Sequence, residues 1–117
     1  MTVVEIEVGG EEQYRSLDGW LRGEDALRGR VAEAYAPPRP GEMGTPPRSL
    51  LVTLDADPAA AALARSLEVW FRLRGTEVTL RVRIGDRVAE FTGKGDVEVE
   101  GFVREVESLL RRALERR

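Results

Sequence analysis

The sequence predicts an α+β fold, a mostly antiparallel sheet of about four strands with two or three main helices packed on one face. Three observations predict this class. Residues 77–92 alternate between polar and apolar side chains on both sides of a two-residue turn, which is typical of a β-hairpin. Residues 57–74 and 99–113 carry apolar side chains at helical spacing. At 117 residues the chain has the length of one domain, so we expect a single α+β domain over residues 1–117.

The first strand and the first helix are predicted from a change in the spacing of the apolar residues at Glu11. Residues 2–8 predict an opening strand, which two glycines close. From Glu11 onward the apolar residues share one helical face: Tyr14, Leu17, Trp20 and Leu21. A short turn over residues 25–27 and a short strand over residues 31–36 are expected to follow.

The middle of the chain begins with a proline-rich loop, because residues 37–48 hold five of the six prolines. Proline fixes φ and has no backbone N–H, so neither a helix interior nor a central strand fits this segment. Residues 49–54 form a short apolar run that fits either a buried strand or one buried helical turn. Asp57 as N-cap and Pro58 in the first turn then predict a helix start, and Gly75 its end.

The register of the hairpin over residues 77–92 can be predicted. A two-residue loop at Gly85-Asp86 allows only one set of cross-strand residue pairs. The pairs expected on the apolar face are Leu80 with Phe91 and Val82 with Ala89, and Ile84 is expected to pair with Arg87 next to the turn. The pairs expected on the other face are Thr79 with Thr92 and Arg81 with Glu90. A final helix with arginines near its end follows, and this placement of cations suits the helix dipole.

The residue types argue against most catalytic chemistry. The chain has no histidine and no cysteine, which removes the commonest general base, the commonest metal ligand and the thiolate sites. Asp55 and Asp57 are two carboxylates that could bind a metal, but capping of the next helix explains them. Gly93-Lys94-Gly95 lacks the spacing of a phosphate-binding loop. We therefore expect no enzyme activity, no catalytic residues, no cofactor and no metal.

Charge and hydropathy bear on partners and location. A net charge of −3 disfavours nucleic acid as a partner, and no apolar stretch reaches the length of a membrane span. The first ten residues lack a signal sequence, so we expect a soluble cytoplasmic protein. Trp20 and Trp70 lie on apolar helix faces, where core packing is the first explanation and an aromatic anchor at a protein interface the second.

Four segments together resemble a known family. They are Leu17, Trp20 and Leu21, then DALRGRV at 25–31, PPRPGEMG at 37–44 and LARSLEVWFRLRG at 63–75. In these segments the chain resembles the first type of bacterial effector-associated constant component. The resemblance implies a small α+β protein of bacterial conflict or defence operons. It also implies an adaptor that serves variable effectors, such as peptidases and nucleotide-hydrolysing switch proteins. The family has no established catalytic residues to carry over.

The leading hypothesis is therefore a non-catalytic protein–protein adaptor whose effector is encoded nearby. Its candidate partner-binding residues are Trp20, Pro38, Arg39, Pro40, Gly41, Glu42 and Met43. The alternative is a self-assembling structural module without a dedicated effector, a homo-oligomer built on the C-terminal apolar stripe and the hairpin edge. A third hypothesis is a small-ligand or enzymatic domain that uses Asp55 and Asp57.

Overall fold

The structure is a computed structural model that describes residues 2–35, 48–55, 57–74, 76–93 and 99–115. These residues form five β-strands, three α-helices and one short 3-10 helix. In chain order the elements are β1 (Thr2–Val8), α1 (Glu11–Arg22), the 3-10 helix (Asp25–Leu27), β2 (Val31–Tyr35), β3 (Arg48–Leu54), α2 (Asp57–Leu73), β4 (Val78–Ile84), β5 (Arg87–Gly93) and α3 (Val99–Glu115).

The five strands form one antiparallel sheet in the order β2-β3-β1-β4-β5. Strand β1 lies at the centre, where Val4 stands opposite Val52 of β3 on one side and Ile84 of β4 on the other. Strands β2 and β5 are the two edges. The α+β class is confirmed, and the sheet has one strand more than the four that the sequence predicts.

All three helices lie on one face of the sheet, so the described part of the chain has two layers with the core between them. The largest fully buried side chains are Ile6, Leu17, Leu21, Leu27, Leu50, Leu54, Leu63, Leu67, Trp70, Phe71, Leu80 and Leu110. Three phenylalanines join α2, β5 and α3. The ring centroids of Phe71 and Phe91 are 5.1 Å apart and those of Phe91 and Phe102 are 5.8 Å apart. The C-terminal apolar stripe is therefore part of the chain's own core.

Helix α1 begins at a glycine for a steric reason. Gly10 has φ 92°, a backbone conformation that side chains rarely adopt, and its carbonyl oxygen accepts a 3.0 Å hydrogen bond from the N–H of Tyr14. Glu11 and Glu12 in the first turn and Arg22 in the last turn suit the helix dipole. The sequence-predicted change of period at Glu11 is confirmed.

The hairpin of β4 and β5 has the predicted register at every pair, and the hydroxyls of Thr79 and Thr92 lie 3.0 Å apart. The open question at residues 49–54 is settled, because they belong to strand β3. Helix α2 starts at Asp57, one residue earlier than the start predicted with Asp57 as N-cap, and the side chain of Asp57 lies outside the described residues, as does Gly75.

Candidate protein-binding surface

Trp20 lies in the last turns of α1, on the side that faces α2. Its indole N–H donates a 3.0 Å hydrogen bond to the backbone carbonyl oxygen of Ser66, and its side chain stays 38% exposed. Because the polar atom of the ring is bound, the orientation of the indole is fixed while part of its apolar surface remains in water. An aromatic ring in this state loses little conformational entropy when another protein covers it.

The seam between α1 and α2 holds Trp20 in place. Trp70 on α2 is only 2% exposed, and its indole N–H donates a 3.0 Å hydrogen bond to the hydroxyl of Ser16. The same hydroxyl accepts a 2.9 Å hydrogen bond from the guanidinium of Arg74, which lies 5.5 Å from the centroid of the Trp70 ring. At the end of the seam the amide of Gln13 donates to the hydroxyl of Thr76 at 3.2 Å.

The two tryptophans therefore have different environments. For Trp70 the core interpretation is confirmed, since the residue is buried and its ring packs edge-on against the ring of Phe71. Trp20 is partly exposed, so part of its ring surface remains accessible to another protein. The sequence pattern did not separate the two residues, because both lie on the apolar side of an amphipathic helix.

Two more apolar side chains lie exposed along the same side of α2. Val69 is 40% exposed and Leu73 is 67% exposed. They follow Ser66 by three and seven positions, a spacing that places all three residues on one side of the helix. The carbonyl bonded to Trp20 belongs to Ser66, so Val69 and Leu73 continue along this side of α2, about 5 and 10 Å further along its axis. We call the set Trp20, Val69 and Leu73 the Trp20 surface.

The remaining candidate residues lie outside the described part of the chain: Pro38, Arg39, Pro40, Gly41, Glu42 and Met43. The strands on either side are described, and their last pair is Tyr35 with Arg48. This pair lies at the end of the sheet where α1 begins, and Trp20 is about 14 Å further along that helix. A joint contact of Trp20 with residues 37–48 stays a prediction.

The carboxylate proposed as a possible metal ligand has another partner. Asp55 forms an ion pair with Arg30, with 3.2 Å between Oδ1 and Nη1. Among the residues that the structure describes, no group of three or more acidic, histidine or cysteine side chains is placed to hold a metal ion. In the same part of the chain, no helix is both long enough and apolar enough to cross a membrane.

The fold defines the chain as a small two-layer α+β domain with helices on one face of an antiparallel sheet. Residues 7–112 match the sequence profile of the family Effector Associated Constant Component 1. This match spans nearly the whole chain, so the chain belongs to that family, as the sequence resemblance indicated. No curated protein and no solved structure matches the chain.

Proposed function

We propose that the chain is a non-catalytic protein–protein adaptor of a bacterial effector or defence system. Its partners are variable cytoplasmic effectors, such as peptidases or nucleotide-hydrolysing switch proteins, encoded near it. The family name supports the association with effectors. The Trp20 surface supports contact with another protein, since an exposed tryptophan is a typical anchor of such interfaces.

The Trp20 surface carries this proposal because it combines rigidity with exposure. The hydrogen bond to Ser66 fixes the ring, and Leu73, further along the same side of α2, is the most exposed large apolar side chain of the described residues. A partner that covers the ring removes apolar surface from water without ordering a flexible side chain. We assign the effector contact to this surface, and residues 38–43 to its extension.

The test is affinity capture from a native lysate, with identification of the retained proteins by mass spectrometry and titration of the purified candidate. Leu73→Glu is the main variant, because so exposed a side chain contributes little to folding. At a central anchor we expect a loss of about 30-fold in affinity, which corresponds to roughly 2 kcal/mol. Trp20→Ala should lose at least as much.

The matched control is Arg104→Ala, which changes an exposed residue on α3. The adaptor proposal requires that the wild type and this control retain the same peptidase or nucleotide-hydrolysing protein with equal affinity. Unchanged binding of Leu73→Glu and Trp20→Ala would remove the Trp20 surface from the contact. Replacement of Pro40, Gly41 and Met43 by serine then tests whether residues 38–43 contribute.

A further inference from the structure

On the second face of the sheet, which we call the open face, no helix of the described residues lies, and β4 and β5 present alternate side chains to solvent. Ser49 on β3 is a buried exception on this face. Val3 and Val88 lie on this face and are 49% and 40% exposed. The Trp20 surface lies in the helical layer on the opposite side, so the open face is a separate surface that the adaptor proposal leaves unused.

Charged side chains occupy the middle of this open face in two adjacent columns. The acids Glu5 and Glu7 stand on β1, and the bases Arg83 and Arg81 stand opposite them on β4. Oε1 of Glu5 lies 3.4 Å from Nη1 of Arg83, and Oε2 of Glu7 lies 3.8 Å from Nη1 of Arg81. Glu5 also accepts a 3.4 Å hydrogen bond from the hydroxyl of Ser49, and Nε of Arg81 lies 3.8 Å from Oε2 of Glu90. A carboxylate has about four acceptor sites and a guanidinium five donors, so these groups keep capacity for further partners.

The register places an ordered row across four strands. Leu51 on β3 is opposite Glu5 on β1, Glu5 is opposite Arg83 on β4, and Arg83 is opposite Val88 on β5. Read across the sheet, the row is apolar, acidic, basic and apolar. The next row also has an acidic and a basic residue in the middle, but its two end residues are polar. Its members are Ser49, Glu7, Arg81 and Glu90.

Such rows are complementary to themselves under a two-fold rotation. Consider a second copy stacked on the open face by a two-fold rotation. The rotation axis runs parallel to the strands. It lies halfway between the two sheets, above the line midway between β1 and β4. Each β1 then lies over the β4 of the other copy, so Glu5 faces Arg83 and Leu51 faces Val88. In the second row Glu7 faces Arg81. A single surface thus supplies both halves of an isologous interface.

We propose that two copies of this chain pack face to face through the open sheet. Aligned packing of two sheets about 10 Å apart is a common arrangement of this kind. The four strands that overlap cover about 19 by 20 Å, roughly 400 Å² per copy in projection. This area is small for a specific interface, so the dimer is reversible, with a Kd in the micromolar range. It presents two Trp20 surfaces on its outer sides.

Charge reversal tests the arrangement by sedimentation velocity, which separates the 13.0 kDa monomer from a dimer of twice that mass. The first variant combines Glu5→Arg and Glu7→Arg, and the second combines Arg81→Glu and Arg83→Glu. Each places like charges opposite each other between copies, so each should raise the Kd at least tenfold. An equimolar mixture should restore the dimer, because the two faces are then complementary.

The control combines all four substitutions, which preserves both the pairs within the chain and the pairs between copies. It should dimerise like the wild type, and circular dichroism checks the fold of each variant. A wild type that remains at 13.0 kDa up to millimolar concentration would overturn the proposal, and the open face would then belong to another protein. Reversed variants that dimerise as well as the wild type would overturn it too.

Cross-linking tests the same geometry without altering charge. The chain has no cysteine, so Leu51→Cys and Val88→Cys each introduce a single thiol. In the proposed dimer Leu51 faces Val88, whereas two copies of the same residue are about 14 Å apart across the strands. A short bismaleimide should therefore link a mixture of the two variants far more than either alone. Equal linking in all three samples, or none in the mixture, would exclude this two-fold arrangement.

Discussion

The hydroxyl of Ser16 allows a quantitative test of the seam between α1 and α2. It accepts hydrogen bonds from the indole N–H of Trp70 at 3.0 Å and from the guanidinium of Arg74 at 2.9 Å. Ser16→Ala removes the single acceptor of both hydrogen bonds. The indole N–H belongs to a side chain that is almost fully buried, so it is left without a partner. The cost of an unsatisfied buried donor is about 2 kcal/mol.

Two smaller effects modify this value. Alanine is a better helix former than serine, which stabilises the variant by about 0.5 kcal/mol. Arg74 is half-buried, and we expect the loss of its bond to add little to the cost. We expect Ser16→Ala to lower the free energy of unfolding by about 1.5 kcal/mol, which corresponds to a fall in Tm of about 6 °C for a domain of this size.

The assay is urea denaturation monitored by circular dichroism, with Ser108→Ala as the matched control. Ser108 is also a half-buried helical serine, on α3, and its substitution should be neutral or slightly stabilising. In a Trp70→Phe background, which lacks the indole N–H, Ser16→Ala should cost less than about 0.5 kcal/mol. If Ser16→Ala is as harmless as Ser108→Ala in the wild-type background, the hydrogen bond to Trp70 contributes nothing to stability.

Two further predictions concern the turn and the core. Gly85→Ala should lower the free energy of unfolding by about 1 kcal/mol, because Gly85 has φ 64° in the β4–β5 turn; a urea midpoint equal to that of the wild type would contradict this reason. Leu63→Ala, at a fully buried position, should cost about 2–5 kcal/mol, whereas Leu73→Ala should stay within about 0.5 kcal/mol. Thermal melts of both variants check the difference, and similar Tm values would mean that the burial pattern of α2 is wrong.

The parts of the fold that depend on local patterns follow from the sequence. The β4–β5 hairpin is the clearest case, because alternation and a two-residue turn both specify the pairing of Val82 with Ala89. Strand β3 is the opposite case. Leu50 and Val52 face the helices, but Leu51 on the open face is also apolar, so the run shows no alternation that would separate strand from helix.

The candidate surfaces are predicted less well, because they depend on contacts between distant segments. The sequence places Trp20 on the apolar side of α1, but its exposure depends on where α2 packs. The facing columns of Glu5 and Arg83 require β1 to pair with β4, and no local pattern specifies which strands become neighbours. The sequence does contain a usable signal, since both strands carry charges at alternate positions.

The central position of β1 has a consequence for the order of folding. Strands β2 and β3 are consecutive in the chain, and so are β4 and β5, so each pair closes over a short separation. The residues that pair with Val4 follow it by roughly 50 and 80 positions. Strand β1 can pair with β3 once residue 54 has been synthesised, but its pairing with β4 requires residues 80–84. We infer that pairing of β1 with β4 is the late step that unites the sheet.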